Sequence, residues 1–186
     1  MDVAESGRFL DSLLRAHGLR VGSALDAGAG VGRVTKHVLL KRCAQVHLVE
    51  SCAAWSKQSK RYLGKKRALS CAFTNVRLEE FHPSPNSYDL IWVQWTLQYL
   101  IDEDVINTLK ALKLSLRNKG LIVLKENRPY LPDTDLEQFQ MDTPGGEHGR
   151  FDITRPDVHH RHLFEAAGLT EIQCDCGVET NTWVLT

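Results

Sequence analysis

The sequence predicts a single α/β domain spanning residues 1–186, with a mostly parallel sheet covered by helices on both faces. Strand-like and helix-like segments alternate along most of the chain. A glycine-rich turn joins the first of these strands to the helix that follows. The 186 residues are 42% hydrophobic, which is enough to build one compact core without disulfides or metal.

The individual elements follow from the spacing of apolar residues. Helical spacing is found over five segments: Ser6–His17 within a lead-in helix at 1–19, Arg33–Lys41, Cys52–Leu63, Asp102–Leu116, and a last helix from Pro156 to Ala167. Short apolar runs predict seven strands: Ser23–Ala27, Val46–Glu50, Leu69–Phe73, Tyr88–Gln94, Leu121–Lys125, Leu169–Cys174 and Thr182–Leu185. The last two runs are expected to form a hairpin, which makes one strand of the sheet antiparallel.

Charge and cysteine content exclude several classes of protein. Lys+Arg and Asp+Glu number 23 each, so the net charge indicates neither a nucleic-acid nor a membrane partner. Five cysteines without a CxxC pair favour a reducing compartment, and Cys174 and Cys176 lack zinc-type spacing. No apolar run is long enough to cross a membrane. We therefore expect a monomer in the cytoplasm, the nucleus or both.

Two further segments are interpreted as surface structure. Residues 128–150 hold three prolines and a Gly-Gly pair without a sustained period, which predicts a long surface segment. His159, His160 and His162 lie in the last predicted helix. Because adjacent helical residues point in different directions, these histidines are expected to be solvated and not to bind metal.

The turn from Asp26 to Arg33 carries the strongest chemical signal. Gly28, Gly30 and Gly32 allow a tight turn and let a ligand approach the backbone closely, with the next helix N-terminus facing it. In the dinucleotide fingerprint the sixth position must be small, whereas here it is Arg33. The turn therefore disfavours NAD and FAD.

Charged residues around this turn match S-adenosylmethionine better. Asp26 can accept hydrogen bonds from turn amides or from the ammonium of a bound amino acid, and Arg33 can pair with the carboxylate of that amino acid. Glu50 ends the second strand 20 residues after Gly30, where a carboxylate can accept both ribose hydroxyls. The alternative is an ordinary βα turn with solvated acids at the strand ends.

Residues further along the chain are candidates for the rest of the site. Leu78 and Glu79, after the third strand, are placed to hold an adenine, and Gln94 closes the fourth strand over the site. Trp92 is expected in the core. Trp95 lies beyond the strand end, where it forms either an aromatic wall for a substrate or a second packing residue.

The sequence resembles the protein α-N-terminal methyltransferases, which methylate the terminal amine of proteins exposing X-Pro-Lys after methionine removal. The resemblance rests on residues Ala24–Lys36, Tyr88–Trp95 and Gly120–Asn127, and extends over nearly all of the chain from Phe9 onward. It implies a Rossmann-like class I methyltransferase fold with a seven-stranded sheet, and S-adenosyl-L-methionine as the cofactor.

The resemblance also implies roles for particular residues. The cofactor site would be lined by Gly28, Arg33, Glu50, Leu78, Glu79 and Gln94. Trp95 and Asn127 would face the substrate amine. Asn127 is expected to orient the amine, and Asp152 to accept a proton and pair with substrate cations.

Three positions depart from the family pattern, besides Glu50 standing for an aspartate. The expected substrate-facing aspartate is Arg150, so that Asp152, Asp142 or Glu147 would have to replace it. A histidine expected after the tryptophan pair is Tyr99, a poor base at neutral pH that can still bind substrate through hydrogen bonds. The upstream segment that covers the site in relatives is missing, which predicts a more open and weaker site.

Two other functions fit the same glycine turn. A small-molecule N- or O-methyltransferase would share the cofactor site but would not explain the second and third motifs. A cofactor-binding or scaffold protein that has lost transfer activity would explain the departures.

Overall fold

A computed structural model describes residues 2–129, 138–141, 151–177 and 179–186. The helices are α1 (Asp2–His17), α2 (Arg33–His37), α3 (Ala53–Leu63), α4 (Lys65–Ala68), α5 (Asp102–Ser115) and α6 (Asp157–Ala166). The strands are β1 (Val21–Ala27), β2 (Cys43–Val49), β3 (Cys71–Thr74), β4 (Tyr88–Gln94), β5 (Leu116–Asn127), β6 (Gln138–Met141), β7 (Phe151–Thr154), β8 (Glu171–Cys176) and β9 (Thr180–Leu185). Short 3-10 turns cover Leu39–Lys41, Leu78–Glu80 and Leu97–Tyr99.

Seven strands form one sheet in the order β3-β2-β1-β4-β5-β9-β8. The pairings from β3 to β5 are parallel, and β9 runs antiparallel to both β5 and β8. The predicted mostly parallel sheet with an antiparallel last strand is confirmed. The strand order reverses between β1 and β4, and in open α/β sheets ligands bind beyond the carboxyl ends of the strands at such a point.

A buried apolar cluster lies on each face of the sheet. One contains Leu10 and Leu13 of α1 with Val34 of α2 and Leu63 of α3. The other contains leucines of α5 and residues of α6, such as Phe164. Successive side chains of β5 alternate between the two clusters, which explains the continuous apolar run of this strand.

Several element boundaries differ from the predicted ones. The helix expected over Arg33–Lys41 ends at His37, where the φ of Val38, −115, departs from the ideal helical value of about −63, and a 3-10 turn follows. The expected surface segment at 128–150 contains strand β6, which pairs with β7 in a separate two-stranded sheet. The pairing partner lies outside the predicted segment, so the sequence around β6 gave no sign of it.

The prediction that the histidines of α6 are solvated was wrong for His160. This side chain is 3% exposed, its ring centre lies 4.7 Å from that of Trp183, and burial lowers its pKa to about 3. His159 is half-buried against Asp102, with its Nε2 2.8 Å from Oδ2, and His162 is exposed. The helix face toward the sheet accommodates a neutral imidazole as a packing residue.

Within the described ranges, no helix has both the length and the apolar character needed to cross a membrane. Among the same residues, no group of three or more His, Cys, Asp or Glu side chains is arranged to hold a metal ion. Cys174 and Cys176 lie two residues apart on one face of β8, with their Sγ atoms 2.8 Å apart as free thiols.

Candidate functional site

The glycine turn after β1 has the geometry that only glycine adopts without strain. Gly28, Gly30 and Gly32 have φ values of 76, 55 and 82, all in the left-handed region. A Cβ on Gly28 would lie 2.1 Å from Oγ1 of Thr96, so this glycine lets the exit of β4 pack against the turn. The amide of Gly28 donates to the carbonyl of Val49 at 2.9 Å, which joins the turn to the end of β2.

Glu50 connects the turn to the beginning of α3. Its Oε2 accepts a hydrogen bond from the Gly30 amide at 2.7 Å, and its Oε1 accepts one from the Cys52 amide at 2.8 Å. The side chain is 8% exposed. A carboxylate offers about four lone-pair sites, so both oxygens can still accept hydrogen bonds from a pair of hydroxyls.

Asp26 lies under the turn and not in the cavity wall. Its Oδ2 accepts hydrogen bonds from the Thr35 amide at 3.0 Å and from the Thr35 hydroxyl at 2.5 Å. Burial raises the pKa of this carboxyl to about 6, against the opposing effect of the two bonds from Thr35. The sequence predicted a turn amide or the ammonium of a bound amino acid as the partner of Asp26, whereas the structure pairs its Oδ2 with Thr35 of helix α2. Asp26 therefore fixes the first turn of α2.

Arg33 and Gln94 meet at the other side of the turn. The Arg33 guanidinium lies 5.1 Å from the centre of a Trp95 ring and forms an ion pair with Asp2, the first residue of α1. Gln94 donates from Nε2 to the same Asp2 oxygen at 3.2 Å and accepts from the Trp92 indole at 3.0 Å. Partial burial lowers the pKa of Arg33.

A cavity of about 470 Å³ opens between these residues at the carboxyl ends of β1, β2 and β4, a volume in the range of small-molecule sites. Its wall consists of Gly28, Gly30, Val49, Glu50, Ser51, Trp55, Val76, Arg77, Leu78, Glu79, Trp95, Thr96, Tyr99 and Leu100. Seven predicted site residues therefore share one cavity: Gly28, Gly30, Glu50, Leu78, Glu79, Trp95 and Tyr99. Asp26, Arg33, Gln94 and Asn127 border it without forming its wall.

Trp55 and Arg77 also line the cavity, although the sequence did not identify them as site residues. Trp55, 44% exposed, lies in the first turn of α3, and Arg77 pairs with Glu79. An aromatic side chain in the first helical turn after Glu50 was the available signal for Trp55. Its position became informative only once α3 was known to begin at the cavity rim.

Trp95 has a strained backbone at the mouth of the cavity. Its φ is 55, an uncommon value for a bulky side chain, and its amide donates to the Lys125 carbonyl at 2.9 Å. The indole Nε1 is buried and has no acceptor among the described residues. Trp92 is fully buried, as predicted, and Tyr99 is 45% exposed at the rim. Strain of this kind is retained at functional sites when the surrounding structure enforces it.

Glu126 is the main residue that sequence reasoning missed. It lies next to Asn127 on β5, and its Oε1 accepts hydrogen bonds from the amides of Thr96 and Leu97, both at 2.9 Å. Its Oε2 is buried with no partner in the described part of the chain, and burial raises the pKa of the carboxyl to about 7. An acid inside a buried strand was the signal that could have identified it.

Arg155 holds the same turn from the opposite side. It is 1% exposed and donates from Nη1 to the Leu97 carbonyl at 3.0 Å, from Nη2 to the Leu100 carbonyl at 2.6 Å, and from Nε to Asp102 at 2.8 Å. The turn that carries Trp95 and Tyr99 is thus fixed by a buried carboxyl and a buried guanidinium.

Asn127 and Asp152 are the two residues predicted to orient and deprotonate a substrate amine. The Asn127 amide donates to Oε1 of Gln98 at 3.3 Å. Asp152, on β7, is half-buried and close enough to Glu126 that its charge contributes to raising the pKa of Glu126. The other acids proposed to replace the missing aspartate, Asp142 and Glu147, lie outside the described residues, as does Arg150.

Known proteins match the chain over most of its length. The sequence profile of the AdoMet dependent proline di-methyltransferase family matches residues 1–177. The N-terminal Xaa-Pro-Lys N-methyltransferase 1 of Xenopus tropicalis is 39% identical over 130 residues, which make up 68% of this chain and 58% of that protein. The alpha N-terminal protein methyltransferase 1 of Schizosaccharomyces pombe is 41% identical over 138 residues, 72% of this chain and 60% of that protein. The chain therefore spans less than two thirds of the length of these curated relatives.

Solved structures share the fold. A SAM-dependent methyltransferase of Leishmania major superposes with a TM-score of 0.81 at 30% identity, over 100% of this chain and 71% of that one. A second S-adenosylmethionine-dependent methyltransferase, from Clostridium acetobutylicum, gives a TM-score of 0.80 at 13% identity, over 100% of this chain and 92% of that one. The second likeness concerns the fold alone.

Proposed function

We propose that this chain, which belongs to the AdoMet dependent proline di-methyltransferase family, transfers methyl groups from S-adenosylmethionine to the α-amino group of protein N-termini of the X-Pro-Lys type. One observation carries the proposal. A single cavity joins the glycine turn and Glu50 at one end to Trp95 and Tyr99 at the other. The names of the matched relatives support the choice of substrate.

The residues at the β1–β2 end fit this cofactor. The backbone at Gly28 leaves no room for a Cβ, and Glu50 keeps accepting capacity for the ribose hydroxyls. Leu78 and Glu79 would hold the adenine, and Arg33 with Gln94 would hold the amino-acid end. The bound cofactor supplies an electrophilic methyl group on a sulfonium.

The protein's own contribution is to position and deprotonate the amine. An α-amine has a pKa near 8, about two units below that of a lysine side chain, so modest assistance is enough to expose its lone pair. Trp95 would flank the peptide and the Asn127 amide would orient the amine. Asp152 would accept the proton and pair with substrate cations, with the Glu126 carboxyl nearby.

Replacement of Asn127 by alanine tests this arrangement. We expect Asn127→Ala to lower methylation of an X-Pro-Lys peptide about 100-fold, because orientation of the amine is lost, while S-adenosylhomocysteine still binds. Asn118→Ala is the control, since Asn118 is an exposed asparagine before Gly120 and remote from the cavity. Normal peptide methylation by Asn127→Ala would refute the assigned role.

The same assay separates the alternatives. Turnover of small amines or hydroxyl compounds without peptide turnover would identify a small-molecule methyltransferase. Binding of S-adenosylhomocysteine without any turnover would identify a cofactor-binding protein that has lost activity. Peptide methylation that depends on Asn127 is the result that we expect.

We further propose that the chain acts as a monomer in a reducing compartment, the cytoplasm or the nucleus. The five free cysteines support the reducing compartment. Light scattering coupled to size exclusion measures the oligomeric state directly. A molar mass near 21.0 kDa is expected, and twice that value would contradict the proposal.

A further inference from the structure

The first turn of α1 reaches over the carboxyl ends of the central strands. Asp2 pairs with Arg33 and accepts a hydrogen bond from Gln94. One turn later, Glu5 accepts a hydrogen bond from the buried Nζ of Lys125 at 3.2 Å. Two acids of α1 therefore contact residues at the carboxyl ends of β4 and β5 and at the start of α2, although neither was among the predicted site residues.

The amino-acid end of the cofactor carries an ammonium and a carboxylate, so it requires one anionic and one cationic partner. The cation is Arg33, but the anion predicted from the sequence does not fit. Asp26 lies under the turn, 3% exposed, with its Oδ2 bonded to Thr35, whereas the side chains of Asp2 and Arg33 are 26% and 35% exposed. Glu50 is held by the amides of Gly30 and Cys52 on the ribose side.

We propose that Asp2 binds the α-ammonium of the cofactor, an inference that rests on the proposed function. Asp2 already adjoins the two residues assigned to the amino-acid end, Arg33 and Gln94. When the cofactor binds, Arg33 turns from Asp2 to the carboxylate, and Asp2 accepts the ammonium in its place. One ion pair within the protein is exchanged for two charge-assisted pairs with the ligand.

This assignment makes α1 a part of the binding site and not only a packing element. Asp2 would weaken cofactor binding if it acted only as a competitor, because its carboxylate would then hold Arg33 away from the cofactor carboxylate. The two effects differ in sign. Removing the charge of Asp2 weakens cofactor binding if Asp2 is a ligand, and tightens it if Asp2 is a competitor.

Calorimetric titration with two ligands tests the proposal. S-adenosylhomocysteine carries the amino acid, whereas 5′-methylthioadenosine carries the adenosine and the thioether alone. We expect Asp2→Asn to weaken S-adenosylhomocysteine binding about tenfold or more, and to leave 5′-methylthioadenosine binding within about twofold of the wild type. Asp2→Glu keeps the charge and should restore most of the affinity.

Asp11→Asn is the matched control. Asp11 lies on the same helix, nine residues after Asp2, and forms an ion pair with Arg42, 2.6 Å between Oδ2 and Nη2. Loss of the Asp11–Arg42 ion pair perturbs the packing of α1 but leaves the charge next to Arg33 in place. Both ligands should bind Asp11→Asn as they bind the wild type.

Three results would overturn the assignment. Unchanged or tighter S-adenosylhomocysteine binding by Asp2→Asn would exclude Asp2 as a ligand. Equally weakened binding of both ligands would show that Asp2 supports the fold of the pocket and does not bind the ammonium. Failure of the wild type to bind either ligand would contradict the proposed cofactor site itself, an outcome distinct from a failure of Asp2 alone.

Discussion

The two ends of the cavity are built in different ways. The β1–β2 end is built on the glycine turn and on Glu50, which lies 20 residues after Gly30 and accepts a hydrogen bond from its amide. The β4–β5 end is assembled from side chains on four separate elements. There, Glu126 of β5 and Arg155 beyond β7 hold the turn at Leu97–Tyr99, and Asp152 approaches from β7.

This difference bears on how each end tolerates change. A turn made of glycines at positive φ depends on the backbone, and a single added methyl group can block it. A turn held by buried charged groups depends on a hydrogen-bond network, and its stability responds to pH and to partial loss of bonds. Substitutions at the two ends should therefore produce different kinds of defect.

The largest effect is expected from Gly28→Ala at the β1–β2 end. Its Cβ would lie 2.1 Å from Thr96 Oγ1, so either the turn or the exit of β4 must move, and binding of S-adenosylhomocysteine should fall by about 100-fold or more. Gly64→Ala is the control, since Gly64 has a similar φ of 80 but no atom within 4 Å of an added Cβ. Gly64→Ala should lose about 2 kcal/mol of stability, because a φ of 80 with a ψ of 156 is a conformation that glycine alone adopts readily, and should keep its affinity. Equal affinities of the two variants for S-adenosylhomocysteine would show that Gly28 is not specifically required for binding.

The next largest effect is expected from Arg155→Lys at the β4–β5 end. Lysine keeps the charge but cannot donate to Leu97, Leu100 and Asp102 together, so the free energy of unfolding should fall by about 3 kcal/mol. Urea denaturation measures this, and the KM for peptide should rise while S-adenosylhomocysteine affinity changes little. The control is Arg161→Lys, at an exposed ion pair with Asp157, where less than about 1 kcal/mol is expected. Equal losses would mean that burial of Arg155 has no energetic importance.

A moderate effect is expected from Glu50→Gln. The glutamine side chain would place its NH₂ group against the backbone N–H of Gly30 or of Cys52. It would also have one acceptor oxygen fewer for the ribose hydroxyls. S-adenosylhomocysteine affinity should fall by about 30-fold, and calorimetry with Glu80→Gln as the exposed control measures the difference. A defect confined to the KM for peptide would show that Glu50 does not bind the cofactor.

The smallest effect is a pH dependence at Glu126. Its folded-state pKa of about 7 lies above the usual value of 4.5, so the folded protein holds a proton that the unfolded chain has released. The stability due to the neutral carboxyl is full below pH 4.5 and is lost as pH rises through 7. Between pH 6 and 8, wild-type stability should fall by roughly 1 kcal/mol through this group.

Glu126→Gln should remove that slope, because the amide oxygen still accepts from Thr96 and Leu97 and does not ionise. Asp26, with a pKa raised to about 6, titrates mostly below this window, so Asp26→Asn should keep the slope between pH 6 and 8. Urea denaturation at three pH values across the window measures both. A variant slope equal to that of the wild type would exclude Glu126 as the titrating group.

The same contrast explains what the sequence could predict. The strand pattern, the glycine turn and Glu50 are local features with a known periodicity or spacing, and the mostly parallel sheet follows from the alternation of strands and helices. The meeting of Asp2 with Arg33, of Glu126 with Thr96 and of Arg155 with Leu97 depends on tertiary packing across 30 to 58 residues of sequence. His160 shows the same limit, because its burial depends on Trp183 of the distant strand β9.

The most direct test of the proposed function is mass spectrometry of an X-Pro-Lys peptide after incubation with the protein and S-adenosylmethionine, beside the same peptide with an acetylated N-terminus. We predict methyl groups on the α-amine of the free peptide and none on the acetylated one. Methylation of the acetylated peptide at lysine, or of neither peptide while S-adenosylhomocysteine binds, would contradict it.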